Sequence, residues 1–261
     1  MELGLTGKIV FIAGASRGIG YAIAESFLKE GAKVALTGRS PDPLAEAAAT
    51  LSAAYGVDNI FHFAGDMTAT LDIAASMDAA ADALGPVDHV IANVGIGNAP
   101  PGFDVTDEDW NGDVLQNFTG SMFLSREAIK RMLARPADSR GQPSITFISS
   151  IGGVDAIGTS LPYGGSKAAL NHVTREMAKQ LGKENIRVNT VAPGNIMFPG
   201  GNWERIVAGN PDYFGKWIDR EVALQRFGTV QEIADAVVFA SSERASFLTG
   251  EVMIVDGGQV R

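Results

Sequence analysis

Short apolar runs alternating with amphipathic stretches predict an α/β chain. The expected form is one doubly wound domain over residues 1–261, with a seven-stranded parallel sheet flanked by helices on both faces. Two further observations point the same way. The strand candidates are continuous apolar runs, as strands covered on both faces require, rather than alternating ones. The chain has 261 residues, 46% of them apolar, so it is long enough to bury one full core.

Each element has its own signal. Lys8–Ala13 is a short apolar run ending at a glycine, and predicts a strand. Ile19, Ala22, Ile23 and Phe27 then fall at helical spacing over 19–29, and Gly31 closes that helix. The alternation continues with a strand over 33–37, a helix over 43–55, a strand over 59–64, a helix over 71–84 and a strand over 87–92. A helix over 107–133, a strand over 144–149, a helix over 162–181 and a strand over 187–192 follow. A helix over 230–241 and a strand over 252–255 complete the series, with no linker, repeat or charge block.

Composition narrows the chemistry. The absence of cysteine removes disulfides, thiolate nucleophiles and iron–sulfur clusters, and three scattered histidines (His62, His89, His172) make a poor metal set. A net charge of −9 disfavours nucleic acid and anionic membranes as partners. The longest apolar runs, such as 9–13 and 236–240, fall far short of the ~20 residues a membrane helix needs. The opening MELGLTGK has neither a basic n-region nor an apolar h-region. A soluble, cytoplasmic protein is expected.

Two stretches depart from the short-loop rhythm. Residues 95–104 are rich in Gly and Pro, and 194–223 read as a long loop carrying Phe198, Trp203, Tyr213, Phe214 and Trp217. Loops after strand ends in an open α/β sheet sit where ligands bind, so 194–223 is expected to form a substrate lid or a subunit contact.

Between the first strand and the first helix lies Gly14-Ala15-Ser16-Arg17-Gly18-Ile19-Gly20. Glycines at that junction let the backbone turn tightly and approach a pyrophosphate, while the helix N-terminus supplies free N–H groups and a positive dipole end. The second strand ends in Gly38-Arg39. A carboxylate there would accept from a ribose 2′-hydroxyl; a cation suits a 2′-phosphate, and Arg17 adds a second positive charge nearby. NADP(H) is therefore expected in preference to NAD(H).

Tyr163 and Lys167 stand four residues apart, on one helix face. A nearby cation favours phenolate and brings a phenol toward the working range of an acid–base catalyst. Ser150 precedes Tyr163 by thirteen residues at the carboxyl end of a predicted strand, where its hydroxyl can meet a substrate oxygen.

Taken in order, Gly14-x-x-x-Gly18-x-Gly20, Asp66, Ala92-Asn93-Val94-Gly95 and Asn117-Phe118-Thr119-Gly120 make one series. Ser150, Tyr163-x-x-x-Lys167, Pro193-Gly194 and the closing Val255-Asp256-Gly257-Gly258 extend it. The series resembles the short-chain dehydrogenase/reductase family, in its single-domain Rossmann branch, over almost the whole chain. The resemblance implies that Tyr163 is the general acid in reduction and the base in oxidation, that Ser150 holds the substrate oxygen, and that Lys167 binds the nicotinamide ribose and lowers the phenol pKa. It implies that Asn117 anchors a water linking Lys167 to solvent. Asn93 and Gly95 would line the coenzyme groove and Asp66 would contact the adenine, with Ser16, Ile19, Pro193, Gly194 and Ile196 as further coenzyme contacts. It also implies a small carbonyl or alcohol substrate, with a 3-oxoacyl thioester, a sugar or a cyclic alcohol left open, and a homotetramer or homodimer.

Some positions depart from the family pattern. Ala13 replaces a threonine that braces the glycine loop, Ala92 and Val94 replace an Asn and an Ala beside the coenzyme, and Phe198 stands where a threonine meets the carboxamide. His62, His89 and His172 read as packing or surface residues. Met122, Phe123 and Met132 read as a core or dimer face, and Asp155 as a surface carboxylate. Trp203 and Trp217 line either a substrate pocket or a subunit contact. A coenzyme-binding regulatory protein without turnover is the competing reading; such proteins usually lose the tyrosine or the lysine, and this chain keeps both.

Overall fold

The computed structural model describes residues 2–96, 99–100 and 102–260. Gly97, Asn98 and Pro101 of the Gly- and Pro-rich stretch over 95–104 lie outside the described residues. The chain opens with β1 (Ile9–Ala13), α1 (Gly18–Lys29), β2 (Lys33–Gly38), α2 (Pro41–Tyr55), β3 (Ile60–Ala64), α3 (Thr70–Leu84) and β4 (His89–Ala92). It continues with α4 (Asp107–Val114), α5 (Gly120–Ala134), β5 (Ser144–Ile148), α6 (Leu161–Leu181) and β6 (Arg187–Pro193). Last come α7 (Asn202–Gly209), α8 (Pro211–Glu221), α9 (Val230–Ser241) and β7 (Val252–Val255).

The strands form one seven-stranded sheet in the order β3-β2-β1-β4-β5-β6-β7, every pair parallel. Each predicted strand is present. Strand order reverses between β1 and β4, and the carboxyl ends of those two strands open a crevice where open α/β sheets bind ligands. Because side chains alternate along a strand, β1 feeds two cores. Val10 and Ile12 pack under Ile23 and Phe27 of α1, Leu44 and Leu51 of α2, and Ile233 and Val237 of α9. Phe11 and Ala13 face Ile73 and Met77 of α3, Leu124 and Met132 of α5, and Leu170 of α6. The central strands are buried on both faces, which is why they read as unbroken apolar runs. Among the described residues, no helix is long and apolar enough to cross a membrane.

Two expectations about local structure are corrected. The helix predicted over 107–133 is interrupted by a π turn at Leu115–Thr119. The wider turn faces Asn117 inward, where its side chain bonds both the backbone of Ile96 and the carbonyl of Asp113. The stretch read as a long loop over 194–223 holds α7 and α8. Its aromatic residues cover one another: Trp203 stacks on Trp217 with ring centres 5.5 Å apart and also meets Phe214 and Phe227. Helical spacing was hidden there by Gly201, Gly209, Pro211 and Gly215, of which Pro211 sits harmlessly in the first turn of α8.

Residues outside the predicted site serve the frame or face solvent. His89 is buried, its Nδ1 lies 2.9 Å from the Ser144 hydroxyl, and burial lowers its pKa to about 4. Arg187 opens β6 and donates to the carbonyls of Ala240, Ser241, Ser242 and Leu248, tying down the C-terminal end of α9. Met132 is buried, and Met122 and Phe123 pack partly against the same core. Asp155 is exposed, its carboxylate accepting from the N–H of Ala156.

Candidate active site

The glycine loop folds as β1 ends. Gly14 and Gly18 both take positive φ, 73° and 59°, which a side chain would resist. A methyl on Gly20 would collide with the Gly14 carbonyl. The absence of a threonine at position 13 is made good from β2. Thr37 donates its hydroxyl to the Ile12 carbonyl at 3.2 Å, and its own carbonyl accepts from the N–H of Ala15 at 2.9 Å. From β4, Asn93 donates through Nδ2 to the Gly14 carbonyl at 2.8 Å. Both braces were missed in the sequence, because neither Thr37 nor Asn93 is near the loop in the chain.

Residues at this end of the sheet fit a dinucleotide. The N-terminus of α1 has no side-chain cap and no acidic residue in its first turn, so its N–H groups and positive dipole end suit a pyrophosphate. Arg39 is exposed at the end of β2, and Ser16 approaches Gly38 beside it. Arg17 is also exposed but reaches the other way, donating through Nη1 to the Gly200 carbonyl at 3.3 Å. Phe198 packs its ring against Gly18, so the residue that replaces a threonine borders the glycine loop. Asp66 shapes the turn after β3, accepting from the N–H and the hydroxyl of Thr68, both at 2.8 Å. Gly194 donates to the Val255 carbonyl at 2.9 Å, and buried Ile196 bridges to Gly228, which fixes the chain as it leaves Pro193 at the end of β6.

The acid–base residues come from three elements. Ser150 follows β5, its hydroxyl accepting from the N–H of Gly152 at 3.1 Å. Tyr163 stands in the first turn of α6 and hydrogen-bonds Ser150. Lys167, one turn on, is buried; its ammonium donates to the Ile148 carbonyl at 2.9 Å and lies 5.6 Å from the centre of the Tyr163 ring. Gly95 makes room for this group. A Cβ there would stand 2.8 Å from both the Asn117 Oδ1 and the Lys167 Nζ. Asn117 accepts from the N–H of Ile96 at 3.0 Å and donates to the Asp113 carbonyl at 2.9 Å.

Tyr163 is held above its ordinary value. Burial is the chief cause; the Ser150 hydrogen bond pulls the other way, and the Asp113 carboxylate adds to the rise. Burial also brings Lys167 down to about 8, because an ammonium withdrawn from water loses its hydration. Asp113, only 4% exposed, was overlooked in the sequence, although its place four residues before Asn117 on one helix was a readable signal. Trp203, expected to meet substrate, faces the aromatic cluster of α7 and α8, on the segment that follows Gly194.

The chain is similar to known proteins. A family model described as Enoyl-(Acyl carrier protein) reductase matches residues 14–259. The 2-(S)-hydroxypropyl-CoM dehydrogenase 3 of Xanthobacter autotrophicus is 32% identical over 255 residues, 97% of each chain. Glucose 1-dehydrogenase of Gluconobacter oxydans is 33% identical over 253 residues, 97% of this chain and 91% of the relative. The crystal structure of L-sorbose reductase from Gluconobacter frateurii, complexed with NADPH and L-sorbose, superposes with a TM-score of 0.91 at 31% identity. The match covers 100% of this chain and 99% of that one.

Proposed function

The chain belongs to the short-chain dehydrogenase/reductase family, and on that premise we propose that it is an NADP(H)-dependent oxidoreductase interconverting a ketone and a secondary alcohol. The observation that carries this reading is the convergence of Ser150, Tyr163 and Lys167 at the carboxyl ends of the strands, beside the uncapped N-terminus of α1. Bound coenzyme supplies or accepts the hydride.

The protein's part is position and proton movement. Ser150 offers its hydroxyl to the substrate oxygen. Tyr163, protonated at neutral pH, gives its proton to that oxygen in reduction and takes it back in oxidation. Lys167 orients the coenzyme ribose, and Asn117 fixes the backbone of Ile96 beside it. Arg39 holds the 2′-phosphate, favouring NADP(H) over NAD(H). Asp66 and Asn93 border the adenine and the coenzyme groove.

Glucose 1-dehydrogenase and L-sorbose reductase act on sugars by their names, which supports keto sugars as the first class to try. The segment with α7, α8 and Trp203 covers it. A homodimer or homotetramer is the matching assembly, and Trp110 in α4 and Leu115 just after it are among the exposed apolar residues available for it. NADPH oxidation against keto sugars, 3-oxoacyl thioesters and cyclic ketones tests the proposal. Turnover on at least one class should fall by about 100-fold or more in Tyr163→Phe. Undiminished turnover in that variant, or none on any class with coenzyme bound, overturns the reading.

A further inference from the structure

His89, Ser144 and Arg187 each open their strand, and they are register partners across β4, β5 and β6. Their side chains therefore share one face of the sheet at its amino ends, away from the end that leads to Ser150. Arg140, between α5 and β5, lines a cavity of about 20 Å³ together with His89 and Arg187. The three are 4%, 6% and 4% exposed for His89, Arg140 and Arg187 in turn. Yet His89 Nε2, Arg140 Nε and Arg187 Nε have no hydrogen-bond partner among the described residues. Buried polar nitrogens are costly to leave unpaired, and three around one small cavity call for a shared acceptor.

The other nitrogens of these residues are in use. Arg187 gives its Nη groups to carbonyls around the end of α9, and Arg140 gives its own to Glu184, Leu133 and Arg135. The His89 Nδ1 lies 2.9 Å from the Ser144 hydroxyl, so with Ser144 donating, the neutral ring carries its proton on Nε2. The nearby carboxylates are taken as well. Asp88 accepts from the N–H of Ile9 and from Arg135, Glu184 pairs with Arg140, and the exposed Glu243 lies 3.9 Å from Lys8. Arg187 has carbonyls but no carboxylate among its described partners, and burial lowers its pKa to about 10. The cavity wall thus carries one positive charge more than those pairs cancel.

We propose that this cavity binds one chloride-sized anion, held by Nε2 of His89 and by Nε of Arg140 and Arg187, which staples β4, β6 and the link before β5. A guanidinium has no acceptor, so the occupant must accept from every side. A water has two lone pairs for three donors and brings two protons of its own. A monatomic anion accepts from all three and offsets the charge of Arg187. The volume suits a body about the size of one water and is too small for a tetrahedral oxyanion. The site lies at the opposite end of the sheet from the coenzyme crevice and does not depend on the oxidoreductase reading.

Bromide is the probe, used on the full chain in two ways. Crystals grown in sodium bromide should show an anomalous peak in the cavity, in contact with all three nitrogens. The thermal midpoint in about 100 mM sodium bromide should exceed that in sodium gluconate of equal ionic strength by about 2–6 °C, because an ion bound only by the folded chain stabilises it. His89→Phe and Arg140→Lys each remove one donor, and each should lose about half or more of that difference. Equal midpoints in the two salts, or a cavity without the peak, overturn the proposal. A peak with equal midpoints marks an adventitious ion only and overturns it too, as does a folded variant of either kind that keeps the whole difference. The parent chain alone decides the matter if neither variant folds.

Discussion

Asn93 donates its side-chain N–H to the carbonyl of Gly14 at 2.8 Å, so the end of β4 clamps the glycine loop that leaves β1. The two strands are neighbours in the sheet, and the bond spans the point where strand order reverses. Asn93→Ala leaves a partly buried carbonyl without its donor. Stability should fall by about 1–2 kcal/mol and coenzyme binding should weaken by roughly tenfold, read by urea unfolding and by tryptophan quenching. Unchanged coenzyme affinity would show that the clamp is purely structural.

Gly95 is a test of crowding. A methyl at that position has to displace the Lys167 ammonium or the Asn117 carboxamide, each the far end of a side chain that can give. Gly95→Ala should cost about tenfold or more in turnover while stability changes by less than ~1 kcal/mol. Steady-state kinetics beside thermal unfolding separate the two; equal losses in both would refute the local account.

Lys167 makes stability depend on pH in a definite direction. The folded chain releases this proton at about 8, whereas an exposed lysine holds it to 10.5. Between those values the unfolded chain binds more protons, so this group's contribution to stability rises with pH. Lys167→Met should remove an increase that approaches about 1 kcal/mol per pH unit, visible in urea midpoints taken at pH 7, 8 and 9. The same slope in both chains would place the ammonium in water.

Arg39 and Arg17 separate by what they touch. Arg39 is exposed at the end of β2, whereas Arg17 is tethered to the Gly200 carbonyl. Arg39→Asp should weaken NADPH by about tenfold or more and NADH by less than about threefold. Arg17→Ala should disturb both coenzymes alike, through the segment that carries Gly200. Isothermal titration with each coenzyme distinguishes the patterns, and equal losses in Arg39→Asp would take that residue off the 2′-phosphate.

The strands were legible because a strand covered on both faces must be apolar at every position, as Ile9–Ala13 and Ser144–Ile148 nearly are. Helices α1, α3 and α6 were legible from their spacing of apolar residues. Helices α7 and α8 were not, since glycines and Pro211 interrupt the pattern and the buried face is made of rings from different turns. The π turn at Leu115–Thr119 was invisible for another reason: it forms to satisfy the side chain of Asn117 against Ile96, 21 residues away.

At the site, residue identity was readable and electrostatic balance was not. Tyr163 and Lys167 share a helix face by arithmetic alone, and a cation near a phenol suggests an easier ionisation. The fold adds what spacing does not show: burial pushes the phenol up and the ammonium down, and the ammonium is bonded to the Ile148 carbonyl.

By itself the sequence determined the parallel sheet, the strand count, the glycine turn and the helix face that joins Tyr163 to Lys167. These follow from periodicity and local backbone freedom, which act between near neighbours in the chain. Only the tertiary structure decided the brace from Thr37, the clamp from Asn93, the cover of Phe198 over Gly18 and the charge that Tyr163 feels. Those depend on which distant groups share a low-dielectric space, and burial and distance are properties of the folded arrangement rather than of any segment.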